Sequence, residues 1–171
     1  VSLVESSDIG ILGVGEGTFP TIHKTLAALG VDEAGFMRES SAAFKQGIRF
    51  VDWLHPPQNG RHTHYYHPFA LPRQEGGLEL APYWLLGAAG PDVSYASAVT
   101  LQEHVCDAGC APKRATDAGF RGPMSYAYHL DAGRFAAFLC EVGRELGVRR
   151  LLGNVEAVNL DESGAIASVT T

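Results

Sequence analysis

The spacing of apolar residues divides the chain into elements of two periods. VSLVES, residues 1–6, is a short apolar run closed by an acid and predicts a β-strand. Residues 7–20, SDIGILGVGEGTFP, carry four glycines and end on Pro20, so they read as a loop shaped by backbone freedom. Ile22, Leu26 and Leu29 recur at helical spacing up to Gly30, and Asp32 caps a second helix through residue 40. Residues 42–53, AAFKQGIRFVDW, are expected as one strand, because Phe44, Ile48, Phe50, Val51 and Trp53 suit a pleated surface. Residues 54–79 are rich in Pro, Gly and His and predict an irregular excursion, while 80–89 and 94–109 read as helices. In residues 129–148, Asp131 is the expected cap, Phe135, Leu139, Val142 and Leu146 form a stripe, and Gly147 ends the helix. Residues 149–160 and 165–171 predict a β-hairpin turning at DESG. Strands at both ends with helices between give an α/β (α+β) unit.

Composition narrows this picture. Of 171 residues, 46% are hydrophobic and 19% charged, which describes a globular chain with a core. The net charge is −6 without any Lys or Arg run, which argues against nucleic acid or an anionic membrane surface as partner. The apolar stretch at 80–90 is broken by Pro82 and Gly87, too early for a membrane span. Cys106, Cys110 and Cys140 are odd in number and suit free thiols in a cytoplasmic setting; the first two could also be a redox pair or metal ligands. Both ends fall within strands, so the chain is expected to be a single partial domain, truncated on both sides.

Several residues carry candidate chemistry. Lys45 sits among bulky β-formers, where an ammonium loses hydration and needs a reason to be there. Without a partner it is a lysine whose stem lies along the strand end. Glu5 has the character of the acid that binds ribose after a strand of a dinucleotide fold. In GVGEGTFP, residues 13–20, alternating glycines let backbone amides approach a flat or anionic ligand; no Lys-Ser/Thr ending is present, which excludes a P-loop. RHTHYYH offers His62, His64 and His67, with His55 nearby, as an alternative metal-binding module.

Taken in order, GVGEGTFP, IHKTLAALGVDEAGFMRES, AAFKQGIRFVDW, YYHPF and MSYAYHLDAGRFAAFL resemble the flavin-dependent tryptophan halogenases across nearly the whole chain. The resemblance implies a partial FAD-binding domain of the FAD monooxygenase type. Residues 1–53 and 129–171 would be its FAD-domain elements, and 54–128 a substrate-side excursion. It implies chemistry in which FADH2, oxygen and chloride or bromide yield hypohalous acid, with a separate flavin reductase supplying FADH2. Lys45 would then deliver halogen to tryptophan or another small aromatic substrate. Apolar surroundings favour the neutral amine that an N–Cl bond needs; a charged amine would instead polarise hypohalous acid by hydrogen bonding. Ile48, His67 and Phe69 would line the substrate pocket, with Phe69 stacking on an indole. Gly13, Val14, Gly15, Glu16, Gly17 and Thr18 would form a strap over the flavin; Glu5 would bind the ribose and Val155 the adenine. A homodimer is among the arrangements the resemblance allows. Parity on a regular strand sets Lys45 and Ile48 on opposite faces, so a bulge or twist at Gly47 is expected. An FAD-dependent aromatic monooxygenase is the rival reading, and it leaves Lys45 without a task.

Overall fold

The computed structural model describes residues 1–10, 16–74 and 76–171. Its strands pair two by two. β1 (Ser2–Glu5) lies parallel to β6 (Arg149–Leu152); β2 (Ala43–Lys45) is antiparallel to β5 (Ala127–His129); β3 (Gly47–Val51) pairs with β4 (His64–Pro68) and β7 (Ala157–Leu160) with β8 (Ile166–Thr170). Six helices complete the order: α1 (Ile22–Ala28), α2 (Glu33–Glu39), α3 (Ala81–Leu85), α4 (Tyr95–Val99), α5 (Gln102–Asp107) and α6 (Ala132–Glu145). The mixed class read from the pattern is what the chain adopts.

Capping chemistry fixes two helices where it was expected. The Asp32 carboxylate accepts from Gly35 N, and the Asp131 carboxylate from Arg134 N, satisfying donors that a helix start leaves open. Three expectations need correction. Residues 42–53 are two strands in two different sheets, interrupted at Gln46. Residues 94–109 are two short helices, because Thr100 adopts an extended conformation between them. Residues 149–152 leave the hairpin and join β1 in parallel, so the hairpin is β7–β8 alone, with the Asp161 carboxylate accepting from Ser163 and Ala165 N at its turn. The excursion at 54–79 contains a strand, β4.

The break at Gln46 has a steric partner. A Cβ on Gly47 would lie 2.5 Å from the His67 carbonyl oxygen and 2.9 Å from Pro68 Cα, so β4 approaches β3 as closely as only glycine permits.

Leu26, Phe36, Tyr126, Tyr128 and Leu130 form the buried core, with Phe44, Phe120, Phe135 and Phe138 packed around it. At its centre is a charge. Glu33 is 5% exposed. One of its carboxylate oxygens, Oε1, accepts from the Tyr126 and Tyr128 hydroxyls, each at 2.6 Å. The other, Oε2, accepts from Lys113 Nζ at 2.6 Å and Phe120 N at 2.8 Å. Burial alone would raise the Glu33 pKa, but these donors outweigh it and hold the carboxyl below its ordinary range. Burial and the bonds to Glu33 push both phenols up.

His23 packs beside this cluster, its ring centre 4.4 Å from that of Tyr126, and its Nε2 is buried with no hydrogen-bond partner among the described residues. Burial lowers its pKa, opposed by Glu33 and assisted by Lys113. The unfolded chain therefore takes up this proton first, so the stability contributed by neutral His23 is complete above 6.5 and is lost as pH falls below it. The thermal midpoint followed by circular dichroism is expected to drop as pH is lowered through 6.5, and His23→Phe to flatten that slope. An unchanged slope in the variant would rule out His23 as the titrating group.

Candidate active site

The side chains of β2 divide between its faces. Phe44 points inward, its ring centre 5.2 Å from that of Tyr126, and Lys45 takes the opposite face. Lys45 Nζ lies 5.0 Å from the centre of the Phe19 ring and 5.5 Å from that of Phe69, and these two rings are 5.8 Å apart. The faces of both rings attract a cation, which gives Lys45 a defined seat. Gly17 makes that seat accessible: a Cβ there would lie 2.7 Å from Lys45 Nζ and 3.5 Å from His129 Cε1. A side chain at 17 would fill the space the lysine amine occupies, so the flexible end of Lys45 would have to move.

The Gly17 segment is held as an added strand. Thr18 N donates to the Tyr128 carbonyl at 2.8 Å, Thr18 Oγ1 accepts from Tyr128 N at 3.0 Å, and Leu130 N donates to the Glu16 carbonyl at 3.1 Å. Its neighbours Gly13, Val14 and Gly15 lie outside the described residues.

Beside Lys45 opens a cavity of about 490 Å³, lined by Phe44, Lys45, Gln46, Gly47, Arg49 and His129 on one side and by Tyr66, Cys106 and residues 109–111 on the other. Tyr66 donates to Asp107 Oδ1 at 2.7 Å; this bond, with burial, pushes its pKa up to about 12. Gln46 Nε2 donates to the Cys110 carbonyl at 2.8 Å, while Gln46 Oε1 is buried without a partner among the described residues. Cys106 and Cys140 are half-buried, Cys110 is exposed, and all three are free thiols; burial raises the pKa of Cys106.

The expected site residues fall into three places. Lys45 and Phe69 meet, and Phe69 N donates to the Gln46 carbonyl at 2.9 Å. Ile48 and His67 face each other directly across β3 and β4, a cross-strand pair on one face. None of Ile48, His67 and Phe69 lines the cavity beside Lys45. Glu5 and Val155 sit at the carboxyl edge of the parallel pair β1–β6, where Gly153 N donates to the Glu5 carbonyl at 3.0 Å and Val155 is exposed. That edge is where parallel strands of α/β folds receive nucleotides, which fits a dinucleotide cofactor. The Glu5 carboxylate is meanwhile paired with Arg150.

Phe19 and His129 went unnoticed in the sequence. The signal for His129 was present: Tyr126, Tyr128 and Leu130 alternate with Ala127 and His129 at strand period, which sets the histidine on the Lys45 side. The metal alternative loses its histidines to other partners. His62 Nδ1 is 2.5 Å from Asp52 Oδ2, His64 Nδ1 is 3.2 Å from Arg49 Nη2, and no group of three ligands gathers among the described residues. The Asp52 carboxyl is held below its usual range chiefly by His62. Among those residues, no helix is long and apolar enough to cross a membrane.

Comparison with known proteins adds a relationship to this geometry. The family model "Tryptophan halogenase" matches residues 1–171. The chain is 33% identical to tryptophan 6-halogenase SttH of Streptomyces toxytricini over 192 residues, covering all of this chain and 35% of that protein. It is 33% identical to tryptophan 7-halogenase RebH of Lentzea aerocolonigenes over 183 residues, all of this chain and 34% of the relative. In three dimensions it matches the crystal structure of a tryptophan halogenase from Shewanella frigidimarina with a TM-score of 0.90 at 39% identity, covering 98% of this chain and 32% of that one. A flavin-dependent halogenase from Xanthomonas campestris matches with a TM-score of 0.81 at 33% identity, over 99% of this chain and 33% of that one. The chain thus spans about a third of the length of these relatives. With every residue inside the family match and the fold shared at that level, this chain belongs to the tryptophan halogenase family.

Proposed function

We propose that this chain carries the lysine-bearing part of a flavin-dependent halogenase acting on tryptophan or another small indole or phenolic substrate. The observation that carries the reading is the seat of Lys45, whose amine faces both the Phe19 and Phe69 rings and lies close over Gly17. A rival without halogen chemistry leaves that seat unexplained.

Glu5 and Val155, at the carboxyl edge of β1 and β6, would hold the ribose and adenine of FAD, and the segment Glu16, Gly17 and Thr18 would pass over its ring. Reduced FAD, when bound, supplies the two electrons that turn oxygen and chloride or bromide into hypohalous acid, and a separate flavin reductase would provide it. The chain's own part is reception and delivery. Lys45 would hold the oxidised halogen by an N–H donor or as its N-halogen adduct, and present it to a ring carbon. Phe69 would stack on the substrate ring, with Ile48 and His67 farther along the same strands lining its pocket.

The test uses the full reading frame with reduced FAD, oxygen, halide and a panel of indoles and phenols, product being followed by mass spectrometry. Lys45→Ala is expected to oxidise reduced flavin at the wild-type rate while product falls by about 10²-fold or more. Flavin turnover without halogenation in either protein would favour the monooxygenase; equal halogenation would reduce Lys45 to a bystander. Gly17→Ala is expected to lower product per flavin oxidised, because a Cβ at 2.7 Å displaces the amine. A Gly17→Ala enzyme with wild-type yield would mean that the amine works from another position.

A further inference from the structure

We propose that Glu33 is a positioning residue that fixes the spacing between the strap, Glu16–Thr18, and Lys45 by setting the register of β5. Its functional consequence rests on the halogenase reading; its geometry does not.

β5 has three residues and two occupied edges. Along one edge, Ala43, Phe44 and Lys45 pair with His129, Tyr128 and Ala127. Along the other, Thr18 exchanges bonds with Tyr128 at 2.8 and 3.0 Å, and the Glu16 carbonyl accepts from Leu130 N. The strap and the lysine strand therefore touch the same three-residue rod from opposite sides. So short a strand specifies its own register weakly, and a slip by one residue turns every side chain to the other face.

The inner face of β5 supplies what the backbone lacks. Tyr128, and Tyr126 just before the strand, point inward, and both hydroxyls converge on a single oxygen, Glu33 Oε1, at 2.6 Å. A slip would withdraw both donors from a buried carboxylate and carry two aromatic rings out of the core. Glu33 cannot follow them, since Oε2 is clamped by Lys113 Nζ and Phe120 N, and Lys113 is itself anchored on the Ala118 carbonyl at 2.9 Å. Only one register satisfies all four donors. That register brings Ala127 opposite Lys45 and seats Gly17 against the amine on the outer face. Glu33 acts through β5 and touches neither Lys45 nor the cavity beside it. Where a reactive oxidant must reach one amine, misplacement by about 1 Å costs up to about 10²-fold in transfer.

The experiment compares wild-type full-length protein with Tyr128→Phe, which removes one hydroxyl and keeps the ring, and with Phe138→Leu, which loosens the core at Phe36 without removing a donor to Glu33. Amide hydrogen exchange at Thr18 and Leu130 is expected to rise about tenfold or more in Tyr128→Phe, the share of one hydrogen bond to a charged acceptor, and to stay at the wild-type value in Phe138→Leu. At a temperature where all three are folded, halogenated product per flavin oxidised should fall about 5- to 100-fold in Tyr128→Phe alone, with flavin oxidation unchanged. Unchanged exchange in Tyr128→Phe, an unchanged product ratio in an active enzyme, or an equal loss in Phe138→Leu would each overturn the proposal. If the wild type halogenates nothing, the exchange result still decides: faster exchange upholds the positioning while the halogenase reading falls. Should Tyr128→Phe fail to fold, Tyr126→Phe takes the other phenol from the same oxygen and is read by the same two measurements.

Discussion

A buried carboxylate organises this molecule. Taking the Glu33 charge out of water costs several kcal/mol unless donors replace its hydration, and removing one partner of such a group leaves the rest of that cost exposed. The donors come from separate places in the chain: Lys113 and Phe120 in the loop before β5, Tyr126 at its threshold and Tyr128 within it. Satisfying one acid at the start of α2 thus draws residues about 80 to 95 positions away into one fixed arrangement. The aromatic core follows, since Phe36, Phe44 and His23 pack on the rings whose hydroxyls Glu33 holds.

Close approach to a glycine is the second feature, from backbone at Gly47 and from a side chain at Gly17. At Gly47 the crowding comes from β4 and allows a fresh strand to begin one residue after β2 has ended. At Gly17 it comes from the Lys45 amine. The interruption at Gln46 settles the parity conflict between Lys45 and Ile48 by placing them in different sheets, each with its own partner strand. A continuous strand could not have served both sheets.

Much of this was open to reading from residues alone. Asp32 and Asp131 announced their helices through capping chemistry that depends on neighbours three residues away, and DESG announced its turn for the same local reason. Lys45 stood out because a charge among β-formers is conspicuous. β4 and β5 were hidden: HYYHP lies inside a Pro- and His-rich stretch, and β5 is three residues long beside a strong helix cap. Their pairing comes from distant strands, so no local window could report it. The parallel union of β1 with β6, across some 145 residues, was invisible for the same reason.

By itself, the sequence determined α2 and α6 with their caps, the glycine segment, and a lysine that needed an explanation, because each of these is decided by residues within about one turn of one another. Tertiary structure alone decided where that lysine points, which rings face it, and that His129 and Gly17 share its surroundings. It also decided that Glu33, unremarkable as the residue after a helix cap, accepts from four donors at the core. Burial is a property of the whole packing, and a carboxylate is recognised as central only once the donors that replace its water have been brought to it.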